Sequence, residues 1–279
     1  MTIKDFQESA NKLQKVFPSH AGIIDSRAFN EQFRLHCYAP SPDLEPFVVH
    51  IWVQRKRRPS HPEQKPPIEV LSGPNIYLFF TTEKAFIHGI TRHEFEYDTS
   101  LSEVTAGIKF RPGGFHTFAQ KSVSVFSTQI FPITSVFPSA DESFSSELLI
   151  QSDETIVSTL EGLLRTIHPT TDRHLELVTK IMSALDNDSS LKTVASVART
   201  FHMSERSLQL LFQTYVGANV KWVITRRRLL EAVDQMKEQP HMLQTDIATK
   251  LGYNSQSHFT REFKEVIGQP PSTYLKGLR

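Results

Sequence analysis

The segment "LGYNSQSHFTREFKEVIGQPPSTYLKGLR", Leu251 to Arg279, places Gln256, Ser257, His258, Thr260 and Arg261 at the start of one short helical run. A helix entering the DNA major groove needs short amides and forked donors near its N-terminal end. Gln pairs with adenine, Arg with guanine, and hydroxyls reach bases or phosphates. A solvated polar surface is the less favoured account of one such face.

A second copy of the pattern decides between these readings. "VARTFHMSERSLQLLFQTYVG" aligns with "IATKLGYNSQSHFTREFKEVIG". In each, an alanine (Ala198, Ala248) stands four residues before a break (His202, Gly252) that calls for a left-handed backbone. Ser204 and Ser255 are candidate N-caps. Leu208, Leu211, Phe212 and Tyr215 in one copy, and Phe259, Phe263 and Val266 in the other, form the packed face. Each copy closes on a glycine, Gly217 or Gly268. The outward faces carry Glu205, Arg206 and Gln209 in the first copy and Gln256 to Arg261 in the second. Two matching units at this spacing predict tandem helix-turn-helix elements that bind nucleic acid.

Between them runs "NVKWVITRRRLLEAVDQMKE", Asn219 to Glu238. As a helix it spans roughly 30 Å, against about 34 Å for one turn of B-DNA. Arg226, Arg227 and Arg228 near its middle are expected either to approach phosphates or to pair with Glu231 or Asp234.

The elements fall into two regions. Residues 173–279 read as seven helices, 173–188, 191–202, 204–217, 219–238, 243–253, 255–268 and 271–279. Residues 30–137 hold short runs rich in Phe, Val, Ile and Thr, separated by turn signals such as "SGPN" and "PGG". From about Ser139 the apolar spacing becomes helical, with Leu148, Leu149, Ile156, Leu160, Leu163, Leu164 and Ile167. Pro169 breaks it, and Thr171 or Asp172 offers a cap for the next helix. The fold class is α+β in two domains. Residues 1–168 form a mostly antiparallel β barrel or sandwich with flanking helices, and 173–279 an all-α domain. Its two helix-turn-helix units lie at about 191–217 and 243–268.

Charge follows the same division. Residues 173–279 carry 15 Lys and Arg against 10 Asp and Glu, a surplus of +5, and residues 1–172 carry 16 against 20, or −4. That suits a DNA-binding part joined to one that does not bind DNA. The single cysteine, Cys37, excludes an internal disulfide and fits a reducing cytosol. No run approaches the ~18 apolar residues of a membrane span. Residues 1–17 are polar and amphipathic without a secretory pattern, so a cytoplasmic location is expected. Arg55 to Arg58 open a charged, Pro-rich loop, read as solvated in preference to an anion site. His88, His93 and Glu94 lack the close His-x-His pair of cupin-type metal centres. Cys37 in "LHCYAP" is expected as a small buried hydrophobe instead of a nucleophile or methyl acceptor. No catalytic residue, metal or cofactor is expected.

Residues 173–279 resemble the DNA-binding domain of the AraC/XylS family of bacterial transcription regulators. The resemblance is carried by "IATKLGYNSQSHFTREFKEVIGQPPSTYL" and, more weakly, by "VARTFHMSERSLQLLFQTYVG". It implies two helix-turn-helix subdomains on one face of double-stranded promoter DNA. Position by position, Arg206 and Gln209 in the first helix, and Gln256, Ser257 and Arg261 in the second, fall where such proteins meet bases. Ser204 and Thr260 fall near phosphates. His202 in place of the usual Gly, and Leu210 in place of a polar or basic residue, depart from the pattern. "YAPSPDLEPFVVHIWVQ" and "GIKFRPGGFHTF" resemble a β-rich domain that precedes this module in some regulators. That implies a small-molecule effector, a homodimer, or both, and RNA polymerase as a partner. Trp52, Tyr77, Phe79 and Arg111 would line the effector pocket, although such aromatics are more often plain core. The competing reading is an enzyme, a β-barrel catalytic domain with or without a metal, fused to a DNA anchor. A third keeps the DNA binding and makes the N-terminal domain a structural dimeriser.

Overall fold

The computed structural model describes residues 32–57, 68–70, 73–91, 95–97, 102–127, 129–239 and 241–277. The amphipathic N-terminal stretch, Arg58 with the following loop, and His93 with Glu94 lie outside the described residues.

Among the described residues, the N-terminal part holds eight strands: β1 Phe33–Tyr38, β2 Val48–Lys56, β3 Ile68–Val70, β4 Tyr77–Phe80, β5 Ala85–His88, β6 Phe95–Tyr97, β7 Val104–Phe110 and β8 Ile130–Pro132. Six make one antiparallel sheet in the order β1-β2-β7-β4-β5-β8, and β3 pairs with β6 separately. The alternative of a barrel is therefore corrected: the described sheet is open, with β1 and β8 as its edges. The physical reason lies in what covers it. Ile51, Ile108, Leu78 and Ile87 line up across four strands, and all are fully buried. Helices α2 (Glu142–Leu149) and α3 (Asp153–Arg165) pack over β7 and β2 on this face. The sheet thus buries its apolar side against helices without curling onto itself.

The start of α3 is fixed to the sheet by one carboxylate. Asp153 accepts from the Tyr38 hydroxyl (2.7 Å) and from Arg55 Nε and Nη2 (2.9 and 2.7 Å), and lies 2.9 Å from His36 Nδ1. Its first turn is closed by Ser152, which accepts from the Thr155 amide. A short helix, α1 (His116–Ala119), and a 3-10 turn, Val123–Phe126, follow β7.

Seven helices complete the chain: α4 Arg173–Asn187, α5 Val194–Thr200, α6 Glu205–Leu211, α7 Val220–Glu238, α8 Gln244–Lys250, α9 Gln256–Ile267 and α10 Pro271–Gly277. The second helix of the first unit stops earlier than its sequence suggests. Phe212–Val216 form a π turn, closed where the left-handed Gly217 (φ 83°) donates to the Phe212 carbonyl at 2.8 Å.

That turn is where the sheet domain meets the helices. Tyr215 stacks on His116 with ring centroids 3.9 Å apart. The Ser127 hydroxyl donates to the Gly217 carbonyl (2.6 Å), and Ser122 to that of Gln213 (3.2 Å). Asp172 serves both sides: one oxygen caps α4 by accepting from the His174 and Leu175 amides (2.8 Å each), and the other accepts from the Tyr215 hydroxyl at 2.7 Å. The apolar core divides accordingly. One continuous cluster runs from Tyr38 through the sheet, α3, α4 and the first unit to Ile224. A second, from Leu229 to Leu275, holds the second unit. The boundary between cores falls inside α7.

Two outcomes test this join. A Cβ on Gly217 would meet Val123 Cγ1 and its carbonyl oxygen at 3.0 Å in a left-handed backbone, whereas one on Gly252 (φ 77°) would meet the flexible Lys192 chain at 3.2 Å. Gly217→Ala should cost roughly 1–3 kcal/mol and Gly252→Ala less, read from urea unfolding. For Asp172, burial opposes ionisation, but the Leu175 amide, the Tyr215 hydroxyl and the His174 amide outweigh it and hold the carboxyl below its usual value. A carboxyl lowered in the folded state stabilises above the unfolded pKa of about 3.9 and loses that contribution as pH falls further. The stability gap between wild type and Asp172→Asn should be open at pH 7 and close toward pH 3; an equal gap at both would remove the charge from the account.

Candidate nucleic-acid interface

Both units have the same local construction. In the first, the amides of His202 and Met203 donate to the carbonyls of Arg199 (3.2 Å) and Ala198 (2.8 Å). In the second, those of Gly252 and Tyr253 donate to Thr249 and Ala248 (2.9 Å each). These paired bonds end a helix in a left-handed residue, and His202 has φ 52°. Ala198 and Ala248 are both buried, so the following helix crosses closely. Ser204 then caps α6 by accepting from the Ser207 amide (3.0 Å), and Ser255 caps α9 from that of His258 (3.2 Å). Leu208, Leu211 and Phe212, and Phe259, Phe263 and Val266, are buried as their spacing predicts.

The opposite faces are open. Arg206, Gln256, Ser257, His258 and Arg261 are exposed, and Gln209 and Thr260 half-buried. No side-chain hydrogen bond or ion pair joins Arg206, Gln209, Gln256, Ser257, Thr260 or Arg261 to another described residue. His258 differs from them: its Nε2 lies 3.0 Å from Glu262 Oε1, while Tyr253 donates to the other oxygen at 2.9 Å. The Ser204 oxygen is likewise occupied as a cap. Gln213, exposed one turn beyond Gln209 and Leu210, continues the first open face; the three- and four-residue spacing marks it, although sequence analysis did not include it.

The three arginines of α7 do not behave as expected. None pairs with Glu231 or Asp234. Arg226 is 5% exposed, beside Trp222 and close to Gly73. Burial pushes its guanidinium down to about 10, with the neighbouring Tyr77 opposing. Arg227 Nη2 donates to the Asp186 carbonyl of α4 at 2.9 Å. Arg228 Nε donates to the Leu251 carbonyl at 3.0 Å, with its guanidinium 4.1 Å from the Tyr253 ring. Their long side chains are used up in holding α7 to its neighbours.

Trp52, Tyr77 and Phe79 do come together, on the sheet face turned away from the apolar core. Trp52 meets Phe79 edge-on at 5.2 Å, Phe79 stacks on Phe86 at 5.1 Å, and Lys109 Nζ lies 5.7 Å from the Tyr77 ring. Burial, with Lys109 adding, pushes His50 on this face down to about 4, and burial does the same to His88. Both rings are neutral at pH 7. Arg111 is not part of this face. It lies exposed beyond the end of β7, with Nε donating to the Glu45 carbonyl at 2.7 Å, because β7 ends one residue before it. Burial raises the Cys37 thiol to about 11, against a smaller effect of Lys109, so it is protonated at neutral pH. Among the described residues, no three His, Cys, Asp or Glu side chains are placed to hold a metal, and no helix is long and apolar enough to cross a membrane.

The family profile described as a helix-turn-helix domain matches residues 197–277, and a domain of unknown function, DUF6597, matches residues 36–132. The HTH-type transcriptional activator AarP of Providencia stuartii is 31% identical over 99 residues, covering 36% of this chain and 70% of AarP. The chain belongs to the AraC family of helix-turn-helix transcription regulators. A putative AraC-like transcription regulator of Streptomyces lividans is 37% identical over 84 residues, 30% of this chain and 27% of that protein. Against this and two further relatives, the match covers between 23% and 34% of their own length. Among solved structures, an apo ToxT variant of Vibrio cholerae aligns over 89% of this chain and 98% of its own at 10% identity, with a TM-score of 0.42.

Within this AraC-type module, His202 occupies the left-handed turn that Gly252 fills in the second unit. His202→Gly removes a Cβ from a strained backbone at an exposed position. It should stabilise the protein by about 0.5–1 kcal/mol, measured by urea unfolding.

Proposed function

We propose that this protein is a sequence-specific DNA-binding regulator of transcription. Helices α6 and α9 enter adjacent major grooves of a promoter duplex. Arg206, Gln209, Gln256, Ser257 and Arg261 read base edges, with His258 at the rim of the second face. Ser204 and Thr260 approach phosphates. Backbone contacts supply much of the affinity and base contacts the selectivity. The observation that carries this reading is the pair of capped helices, each packed by its apolar side and open on its polar one. The burial of Arg226 and the backbone anchoring of Arg227 and Arg228 leave phosphate contact to residues on the reading helices and their turns.

The N-terminal domain, residues 1–168, regulates the DNA-binding part, residues 173–279. A small-molecule effector would sit on the sheet face bearing Trp52, Tyr77 and Phe79, where neutral histidines and aromatic rings offer both stacking and hydrogen bonds. Arg226 reaches this region from α7, which supports a route from the sheet to the reading helices. RNA polymerase is the proposed protein partner, a homodimer the proposed assembly and the cytosol the proposed compartment. The proposed role needs no chemistry of its own, and burial keeps the Cys37 thiol protonated at neutral pH.

The test is fluorescence polarisation of the full chain against duplex from its own upstream region and a scrambled duplex, across salt concentrations. Wild type should prefer the cognate duplex, with affinity falling steeply as salt rises. Arg261→Ala should weaken cognate binding by about 1–3 kcal/mol and relax preference at one base position. Equal, wild-type-level affinity of the variant for both duplexes would sink the assignment of that helix.

A further inference from the structure

The internal repeat places Arg206 opposite Ser257, Leu208 opposite Phe259, Gln209 opposite Thr260 and Leu210 opposite Arg261. Burial agrees at each pair: both members are exposed in the first, buried in the second, half-buried in the third and exposed in the fourth. One slot on the reading surface therefore holds a guanidinium in the second unit and an isobutyl group in the first. Leu210 is 65% exposed. It is not a misplaced core residue, since Leu208 and Leu211 on either side already fill the packed face. Its neighbours at helical spacing are Arg206 one turn before and Gln213 nearly one turn after, with Gln209 alongside; all are polar and turned outward.

An apolar side chain among three polar groups on an open reading face has a defined complement. The major-groove edges of base pairs present donors and acceptors, and one apolar group, the C5 methyl of thymine. We infer that Leu210 reads a thymine methyl in the site bound by α6. The inference rests on the proposed function and adds the chemistry of one base position to it. At that register the first unit selects by methyl contact and the second by charge. The two half-sites then respond differently to salt where the guanidinium also lies against a phosphate, because neutralising one phosphate releases about one counterion and an isobutyl group releases none.

The experiment uses the full chain. Binding sites are selected from a random duplex pool, and each thymine of the selected site is replaced singly by deoxyuridine, which removes the methyl and keeps the pairing. Wild type should lose about fourfold in affinity at one thymine, the worth of one buried methyl. Leu210→Ala should bind that site more weakly and lose the distinction between thymine and deoxyuridine at that position alone. Leu210→Met should keep the distinction. Base preferences under α9 should be unchanged in both variants, which separates a reading role from a folding one. Indifference of wild type to every deoxyuridine, or an unchanged ratio in Leu210→Ala, overturns the inference while leaving DNA binding intact. Loss of preference under both helices in Leu210→Ala makes the residue structural and also overturns it. Failure of wild type to select any sequence removes the proposed function itself, and this inference with it.

Discussion

The contact on which the remaining architecture depends is the one Tyr215 makes with His116 and Asp172. A π turn carries the ring out of α6 and lays it on His116, while its hydroxyl closes on Asp172. Asp172 is at the same time the cap that starts α4. The first helix of the DNA-binding half, the last turn of its first reading unit and the segment after β7 are thus fixed by one phenol. Gly217, pressed against Val123, leaves no room for a looser arrangement. The result is a first unit that shares its apolar core with the sheet domain, and a second unit that has a core of its own.

This division changes what regulation can mean here. Under the proposed function, an event on the sheet would reach α6 through packed side chains, without crossing a linker. It would reach α9 only along α7. The two units match in caps, turns and open faces, yet one shares the core of the sheet domain and the other is carried at the end of a helix. The departure of the first unit from its repeat partner, with His202 in the left-handed turn and Leu210 on the open face, falls on the unit held most firmly in place.

Much of this was legible in the residues. The seven C-terminal helices, both serine caps, both left-handed breaks and the packed faces follow from periodicity and the repeat, because local rules act within one turn of chain. The sheet composition was legible as well, but its open form was not: whether a sheet closes depends on which helices cover it, and α2 and α3 lie far along the chain. The π turn left no signal, since Gly217 could end an ordinary α-helix equally well. Arg226 to Arg228 misled for a related reason. A run of cations resembles a phosphate-binding stripe, and only the tertiary placement of Asp186, Leu251 and Tyr253 shows Arg227 and Arg228 already occupied, while burial withdraws Arg226. Arg111, next to a sheet face in sequence, is directed to Glu45 by a strand that ends one residue early.

Those three arginines are consecutive, and consecutive side chains on a helix project about 100° apart. They therefore point to three different bodies: Arg226 toward the sheet domain, Arg227 to α4, and Arg228 to the second unit. Arg227 and Arg228 reach their carbonyl acceptors at one rotational setting of α7 about its axis, and Arg226 is buried at that same setting. Turning the helix by a single residue would unseat every one of them together. The connector is in this sense keyed like a spline in a shaft. A rotation of α7 against either core would have to break these contacts, so the side chains that join the cores also set the angular phase between α6 and α9.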